Sequence, residues 1–515
     1  FGSSEMRHLP AVLGPRVPST GTRGARLWSL RCPRQRLPLP PRGTPGALSA
    51  LSLGIPALAC AARSSHRLQR HRSAARRWHS SRRRSTLRSQ VASVDTMDAM
   101  EVTPKLTLTE LEQQVFKALL ETVNHFSLGT TLRAAGGWVR DKVLGTCSDD
   151  IDIVVDNMSG EEFALKVTEY MTQNAESNMV STVGVVKQNP DQSKHLATAC
   201  FRLYGLSLDV NNLRTETYTE DSRIPVTAIG TPAEDAQRRD FTTNALFYNI
   251  TVGEIEDFTG HGLSDLRDGL IRTPLPASET FRDDPLRMLR ALRFAARLDF
   301  RLDDSLLSAA SDAQMHQLLE TKVSRERFGI EVDKMMKAKG QRPVVALEMM
   351  RQTGMLAPVF VPQEIAASVP SGKAELEQGV ERASEAAGIL LADCPGEELR
   401  LLMYAALMSS WAEKTIPEKK KQRPLIPQAL RASLKIDMQS CEAAQDIAAA
   451  AVALHGGRGL TGTERSHSVG SQLRIVQERW PQALALSEII GGDKGDDARQ
   501  AFARDRQWLP APRVG

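Results

Sequence analysis

Cysteine pairs and long apolar runs are missing from this sequence of 515 residues. The six cysteines include no C-x-x-C pair, and no histidine lies at ligand spacing from them. This pattern argues against a zinc site and a disulfide framework, and it indicates a reducing compartment. After residue 95 no eighteen consecutive residues are apolar, so we expect a soluble mature protein with no membrane partner.

Acidic residues and lysine are nearly absent from the first 95 residues. This stretch holds eighteen arginines, no lysine, and only Glu5 and Asp95 as acids, which gives it a charge of about +16. Since the whole chain carries +5, the remaining 420 residues carry −11. An arginine- and serine-rich, acid-poor segment is typical of organellar transit peptides. We interpret residues 1–96 as a leader to the mitochondrion or plastid.

An alternative interpretation of this segment starts from its first residue. Because the chain begins with Phe1, the stretch before Met97 could instead be untranslated sequence that was read through. A start at Met97 would also permit a location in the cytoplasm or nucleus. In either case we exclude residues 1–96 from the fold prediction.

Two different patterns follow one another along the rest of the chain. Between 105 and 265, helical apolar spacing alternates with short runs of apolar and β-branched residues, which predicts an α/β region. The helical stretches are 108–125 and 161–171, and the strand-like runs are 151–155, 180–186, 195–203 and 206–213. After Asp283 the sequence predicts helices, with an exposed loop around 419–421 and a Gly/Ser/Thr-rich linker at 456–471.

A glycine pair and two aspartates stand close together in the α/β region. Gly136 and Gly137 would let backbone N–H groups approach a ligand, and a helix opened by them would favour a triphosphate. Asp150 and Asp152 flank one apolar residue in a strand-like run, so their side chains point to one face. Two such carboxylates repel each other unless a divalent cation lies between them. The combination predicts Mg²⁺-dependent nucleotidyl transfer; the bland alternative is a glycine turn beside a solvated acidic strand edge.

These residues and later motifs, in this order, resemble the class II tRNA nucleotidyltransferase/poly(A) polymerase family of the DNA polymerase β superfamily. The resemblance covers residues 108–340 and is most similar to the eukaryotic CCA-adding members. Five ordered stretches carry it: Gly136-Gly137-Trp138-Val139-Arg140-Asp141 with Asp150-Ile151-Asp152 (motif A), Arg238-Arg239-Asp240-Phe241-Thr242-Thr243-Asn244 (motif B), Asp257-Phe258-Thr259-Gly260 with Asp265-Leu266 (motif C), Asp283-Asp284-Pro285-Leu286-Arg287 (motif D), and Ser324-Arg325-Glu326-Arg327 with Glu331 (motif E).

The resemblance implies an α+β protein with a nucleotidyltransferase α/β head followed by helices only. The head would cover 105–265 and carry catalysis. A helical neck over 266–340 would select the base and bind RNA, and a helical body and tail over 341–515 would bind tRNA.

The resemblance also implies roles for the residues of motif A. Asp150 and Asp152 would be catalytic and would hold Mg²⁺, while Gly136, Gly137, Arg140 and Asp141 would bind the nucleotide. Asp209, in a later strand-like run, is a candidate third carboxylate. A structural ion pair between Asp209 and Arg214 is the alternative.

Motif D suggests how a protein could choose a base without a template. Asp284 and Arg287 are three residues apart, so on a helix they would share a face. The carboxylate could accept from the exocyclic amine of cytosine or adenine, and the guanidinium could donate to the adjacent ring nitrogen. Uracil and guanine present a carbonyl oxygen there, which would leave a buried charge without a partner. The alternative is an ordinary amphipathic helix with an aspartate N-cap.

Arginines are the common feature of the other predicted contacts. Arg238 and Arg239 could neutralise phosphates, with Asp240 orienting an arginine or the ribose and Asn244 bonding the backbone or the ribose. A further set recurs at helical spacing and forms either a stripe facing phosphate and base or a solvated face: Arg287, Arg290, Arg293 and Arg297. Motif E resembles a helix start capped by Ser324, with a supporting role.

The family resemblance implies that this chain adds CCA to tRNA 3′ ends from CTP and ATP. Because residues 96–515 are net acidic, tRNA would bind to local basic patches such as the arginine stripe, 322–327 and 419–423. No protein partner is evident. The alternatives are a poly(A) polymerase, a partial enzyme that adds only CC or only A, and an inactive RNA-binding relative.

Overall fold

The structure, a computed structural model, describes ten stretches of the chain and leaves the predicted leader (1–96) outside them. The stretches are 105–146, 148, 150–186, 198–219, 222–338, 342–390, 396–418, 421–457, 462–492 and 495–506. At 186, 217–219, 222–227, 462–466, 468 and 506 only the backbone is described. No helix of these stretches is long and apolar enough to cross a bilayer.

The first part of the described chain, which we call the head, is built on a mixed sheet. Its helices are α1 (Glu110–His125), α2 (Gly137–Val143), α3 (Gly160–Gln173), α4 (Pro232–Gln237) and α5 (Gly262–Asp268). Its strands are β1 (Arg133–Ala135), β2 (Asp150–Val155), β3 (Gly184–Val186), β4 (Thr198–Leu203), β5 (Leu206–Asn212), β6 (Arg214–Thr219), β7 (Ser222–Ile229), β8 (Phe247–Asn249) and β9 (Glu254–Glu256).

Seven of these strands form one sheet in the order β3-β4-β5-β2-β1-β8-β9, and β6 pairs with β7 apart from it. Strand β2 runs parallel to β5 and antiparallel to β1. Ile151 and Ile153 of β2 are buried in the core beneath α1 and α3, while Asp150 and Asp152 point to the open side. The period of two in this strand therefore separates core residues from candidate site residues.

The rest of the described chain is predominantly helical. It contains α6 (Ala277–Asp283), α7 (Leu286–Leu298), α8 (Asp304–Ala310), α9 (Ala313–Lys322), α10 (Arg325–Met336), α11 (Arg342–Thr353), α12 (Leu356–Phe360), α13 (Gln363–Ala366), α14 (Gly372–Leu390), α15 (Gly396–Leu407), α16 (Leu425–Leu434), α17 (Met438–Gly456), α18 (Gly462–Val476), α19 (Trp480–Ile490) and α20 (Gly495–Arg506). The short strands β10 (Leu270–Ile271) and β11 (Arg301–Leu302) pair in parallel, and β12 (Thr415–Glu418) pairs antiparallel with β13 (Lys421–Pro424).

Helices α10 and α16 meet at a point where no side chain fits. A Cβ atom on Gly329 of α10 would lie 1.9 Å from the carbonyl oxygen of Leu434, the last residue of α16. The absence of a side chain lets the two backbones touch. Helix α10 also packs against α7, so it connects the arginine-bearing helix to α16.

Three local predictions differ from the structure. The predicted linker at 456–471 is helical from Gly462 onward, because α18 packs on α17 and α19, and tertiary contacts override a Gly/Ser-rich composition. The predicted strand at 180–186 is shorter, since only Gly184–Val186 is a strand. Of the predicted loop around 419–421, Lys421 instead begins the exposed strand β13, and residues 419–420 lie outside the described stretches.

Candidate active site

A cleft of about 530 Å³ lies between the head sheet and helix α7. Ten of the predicted site residues line it: Gly136, Gly137, Arg140, Asp152, Arg239, Asp240, Asn244, Asp284, Arg287 and Arg290. Asp150 lies two residues from Asp152 on β2, Asp209 lies beside Asp152 on β5, and Asp141 pairs with Arg140. Residues far apart in the sequence therefore meet in one place.

Three carboxylates lie close together on the neighbouring central strands β2 and β5, on the sheet side of the cleft. Asp152 faces Asp209 across the parallel β2–β5 pair, and Asp150 projects from the same face of β2. The surrounding protein atoms raise the pKa of Asp152 above its ordinary value, and the charges of Asp209 and Asp150 raise it further against the opposing effect of Arg239. Arg214, the alternative partner of Asp209, instead pairs with Glu216 at 3.0 Å.

The oxygen atoms of these carboxylates suit a hard divalent cation. Carboxylate oxygens are the ligands that Mg²⁺ prefers. Such an ion would also offset the burial and the two neighbouring carboxylates that together raise the pKa of Asp152. Within the described stretches no three acidic, histidine or cysteine side chains are grouped closely enough to hold a metal by themselves. Mg²⁺ commonly uses one or two carboxylates together with substrate phosphates, so the residues present fit that ion.

Gly136 occupies a backbone conformation that side chains rarely adopt. Its φ is +69° and its ψ is −127°, and it immediately precedes α2, which Gly137 opens as predicted. A Cβ atom here would lie 3.0 Å from Nη1 of Arg239 and 3.7 Å from Oδ2 of Asp152. Gly136 thus brings bare backbone to the carboxylates and the arginine.

A chain of hydrogen bonds crosses from the head to α7. Arg140 donates from Nη1 to Oδ1 of Asn244 at 2.6 Å, and Asn244 donates from Nδ2 to Oδ1 of Asp240 at 3.0 Å. Asp240 in turn accepts from Nη2 of Arg290 at 2.6 Å. Burial alone would raise the pKa of Asp240, but Arg290 and Asn244 hold it below its ordinary value. Asp240 therefore orients an arginine, one of the two roles that the sequence predicted.

Arg140 itself is buried and already bonded, since it also donates from Nε to Asp141 at 2.8 Å. Asp141 lies 3.7 Å from Arg297, whose side chain is 55% exposed at the rim of the cleft. Arg140 and Asp141 thus form part of the wall behind the glycine turn.

The motif B arginines are held by a carboxylate that the sequence analysis missed. Asp235 of α4 is fully buried and contacts both Arg238 and Arg239. Arg238 also pairs with Glu216 at 3.2 Å, and burial lowers the pKa of Arg238 to about 10 despite these acids. The spacing of three and four residues from Asp235 to the two arginines was a readable signal. Glu216 offered no comparable signal, because it lies twenty-two residues from Arg238.

Asp284 and Arg287 line the cleft together, but not for the predicted reason. Asp284 has extended backbone (φ −133°) between α6 and α7, so the expected shared helix face is wrong. Its Oδ1 accepts from the backbone N–H of Leu286 at 3.2 Å, and its Oδ2 lies 3.3 Å from Nη2 of Arg327. Arg287 donates from Nη2 to the carbonyl of Arg238 at 2.7 Å.

The predicted arginine stripe is divided between the cleft and the interior. Arg293 is 9% exposed and donates from Nε to Glu331 of α10 at 2.5 Å, so it belongs to the interior and not to a stripe that faces phosphate. Arg290 bridges Asp240 and Glu331, at 2.6 and 3.4 Å. Of the four arginines of the stripe, Arg287, Arg290 and Arg297 line the cleft. Glu331 thus links α10 to the helix that closes the site.

Several known proteins are similar to this chain in sequence, and several solved structures are similar to it in fold. The family described as Poly A polymerase head domain matches residues 132–272. The mitochondrial CCA tRNA nucleotidyltransferase of Saccharomyces cerevisiae is 46% identical over 266 residues, which is 50% of this chain and 48% of the yeast protein. The tRNA nucleotidyltransferase cca2 of Schizosaccharomyces pombe is 33% identical over 403 residues, 75% of this chain and 81% of that protein.

Solved structures show the same fold. The CCA-adding enzyme of Bacillus stearothermophilus in complex with CTP superposes with a TM-score of 0.52 at 22% identity, over 79% of this chain and 84% of that one. A tRNA nucleotidyltransferase bound to a primer tRNA and an ATP analogue gives a TM-score of 0.52 at 22% identity, over 75% of this chain and 98% of that one.

The fold and the cleft define a protein with a nucleotidyltransferase head and a helical remainder. The similarity to the Schizosaccharomyces pombe protein extends well beyond that head. The chain belongs to the tRNA nucleotidyltransferase family, whose enzymes generally use divalent metal ions. The match spans about half the length of the Saccharomyces cerevisiae relative.

Proposed function

We propose that this protein adds C-C-A to the 3′ end of tRNA, without a template, from CTP and ATP with release of pyrophosphate. The observation that carries the proposal is that Asp152, Asp284 and Arg287 line one cleft, with Asp209 next to Asp152 on the neighbouring strand. Transfer chemistry and base selection need these two groups within one nucleotide's reach. Family membership and the names of the relatives support the same reaction.

In this mechanism the 3′-hydroxyl of tRNA attacks the α-phosphate of the nucleotide and pyrophosphate leaves. Asp150 and Asp152 would hold Mg²⁺, and Asp209 is the candidate third carboxylate. When bound there, Mg²⁺ would lower the pKa of the attacking hydroxyl and compensate negative charge on the triphosphate. The side chains have only to hold, orient and compensate charge, so no side-chain base is required.

The triphosphate lies along the glycine turn. Gly136 and Gly137 present backbone to it, and Arg239 beside Gly136 supplies positive charge. Since Arg140 is bonded to Asp141 and Asn244, it acts by holding Asn244 and Asp240 in place. Arg290 also lines the cleft, where its ion pair with Asp240 holds it in place.

Asp284 and Arg287 select the base by hydrogen bonding. Asp284 accepts from the exocyclic amine of cytosine or adenine, and Arg287 donates to the neighbouring ring nitrogen. Arg327 and the amide of Leu286 keep the Asp284 carboxylate oriented. A carbonyl oxygen on uracil or guanine would face this carboxylate with no hydrogen to donate, so the two oxygens would repel each other.

The helical part binds the tRNA in this proposal. Residues 105–265 form the catalytic head, 266–340 the neck, and 341–515 the body and tail. Arg297 at the rim and the exposed Lys421 and Arg423 of the β12–β13 hairpin are local sources of positive charge. Such patches attract phosphates even though the chain after the leader is net acidic.

We also propose a mitochondrial location, because the relatives from Saccharomyces cerevisiae and Candida glabrata are named as mitochondrial enzymes. The plastid, the cytoplasm and the nucleus remain predictions from the leader and from Met97.

One extension experiment separates the candidate functions. The full chain is incubated with Mg²⁺, CTP, ATP and a tRNA that ends at its discriminator base, and the 3′ ends are sequenced. Ends of C-C-A and nothing longer are expected. Long A tails would indicate a poly(A) polymerase, and ends of CC or A alone a partial enzyme. Binding of tRNA without extension would indicate an inactive relative.

A further inference from the structure

Both carboxylate oxygens of Asp235 are bonded to arginine residues. Its Oδ1 accepts from Nε of Arg238 at 3.0 Å and from the backbone N–H of Arg214 at 3.2 Å. Its Oδ2 lies 3.0 Å from Nε and 2.9 Å from Nη2 of Arg239. No part of its side chain is exposed. We call these four residues the Asp235 clamp.

The clamp determines where Arg239 points. Once two of its nitrogens are bound to Asp235, Nη1 of Arg239 donates to the carbonyl of Asn244 at 3.2 Å. The guanidinium lies 4.9 Å from the ring centre of Phe247. This position places Nη1 against Gly136 and near Asp152. The Asp235 clamp thus holds the guanidinium of Arg239 in one orientation beside Asp152.

The clamp also limits the positive charge of the cleft. Arg238 and Arg239 both line it, and their side chains are only 16% and 17% exposed. Asp235 cancels one of these two charges, and Glu216 offsets part of the other. Without Asp235 the cleft would gain one positive charge at low exposure, where electrostatic attraction is strong. A triphosphate would bind more tightly in the ground state, which does not accelerate the chemical step.

We propose that Asp235 is a positioning residue for nucleotidyl transfer, which aims Arg239 at the triphosphate and limits the positive charge of Arg238 and Arg239. Asp235 does not touch the reacting atoms and acts through the two arginines. The inference deepens the proposed function and rests on it.

The variant Asp235→Asn tests the charge and the position together. We expect kcat to fall about tenfold or more, because the arginines lose their alignment, while the KM for CTP falls severalfold. Glu234→Gln is the matched control. It removes one negative charge from the adjacent, exposed position and keeps a side chain able to complete the helix cap with Thr231. We expect wild-type kinetics from it.

Two further variants separate charge from position. Asp235→Glu keeps the charge but moves it by one methylene, so kcat should fall while the KM for CTP stays near wild type. The double variant Asp235→Asn with Arg238→Gln removes one charge of each sign, so the KM for CTP should return toward wild type. Thermal unfolding of each variant shows whether it is folded.

The outcomes decide the inference in either direction. Loss of kcat with a lower KM for CTP in Asp235→Asn, and recovery of that KM in the double variant, support it. Unchanged kinetics, or a rise in the KM for both CTP and tRNA with lower thermal stability, overturn it. If Asp235→Asn does not fold, wild-type kcat in Asp235→Glu overturns it.

A binding measurement keeps the inference separate from the proposed reaction. If wild type does not extend tRNA, the proposed function fails. Calorimetric titration of the full chain with CTP and Mg²⁺ then still tests the charge of the clamp. Tighter CTP binding by Asp235→Asn than by Glu234→Gln supports the clamp, and equal binding overturns it.

Discussion

The two walls of the cleft hold their charged groups in different ways. On the sheet wall, Asp150 and Asp152 reach solvent because β2 alternates between core and cleft. On the helical wall, Arg290 at the cleft and Arg293 in the interior behind it are fixed by Asp240 and Glu331, which lie 50 and 38 residues away. The first wall is organised by a local pattern, and the second by pairing between distant segments. Substitutions on the sheet wall should therefore mainly lower the rate of nucleotide addition, and substitutions on the helical wall should mainly lower the free energy of unfolding.

The largest expected effect comes from breaking the sheet wall. Asp152→Asn should reduce the rate of nucleotide addition about 10³-fold, roughly 4 kcal/mol, because a preorganised charge at the reacting centre is lost. Single-turnover extension measures it, and a tRNA filter-binding assay should remain within about twofold of wild type. Asp268→Asn, an exposed acid on α5, is the control. A variant that retains wild-type turnover would remove Asp152 from the metal site.

Breaking the helical wall should cost stability. Glu331 is 3% exposed and contacts both Arg290 and Arg293. Glu331→Gln would leave a buried positive charge without its partner, at a cost of about 3 kcal/mol in the free energy of unfolding. Denaturant unfolding measures the change. Glu169→Gln, which breaks an exposed pair with Lys166, should change it by less than about 0.5 kcal/mol. Equal effects of the two substitutions would show that the buried pairs of Glu331 contribute no more stability than an exposed ion pair.

Base selection lies where the two walls meet. Asp284→Ala should reduce the preference for CTP over UTP about ten- to thirtyfold, or about 2 kcal/mol, because the acceptor for the exocyclic amine is gone. Competition of the two nucleotides on one tRNA measures it. Because tRNA affinity should not change, a parallel loss of tRNA binding, or retained discrimination, would exclude Asp284 from base selection.

The smallest expected effect is the loss of the stabilising contribution of Asp240 at acid pH. The pKa of Asp240 is held below its ordinary value of 3.8, so its contribution to stability is present above that pH and is lost as the pH falls through the lowered value. The stability difference between wild type and Asp240→Asn should be constant from pH 7 to about pH 5 and should shrink below about pH 4. Denaturant midpoints across this range measure it. A difference that grows toward acid would contradict the pairing with Arg290.

The same contrast explains how much the sequence could predict. The glycine turn, β2 and the carboxylate pair follow from spacings of one to a few residues, and motif order identified the family. Glu331 was recognised as part of a motif, but its pairing with Arg293 joins two helices whose packing no local pattern specifies. Asp284 was placed on a helix because Asp-x-x-Arg spacing fits one, whereas Pro285 is the N-cap and leaves Asp284 extended.

The contact between Gly329 and Leu434 constrains how this protein can evolve. Every single-nucleotide change that replaces a glycine codon with another amino acid adds a β-carbon, and any β-carbon at 329 would collide with the backbone of α16. Every single substitution at position 329 is therefore expected to disturb the contact between the two helices. Relatives that keep this joint must keep the glycine, and lineages that lose it must move the end of α16 by a compensating change. Deep mutational scanning should find position 329 among the least tolerant in the helical part, even though it touches no substrate.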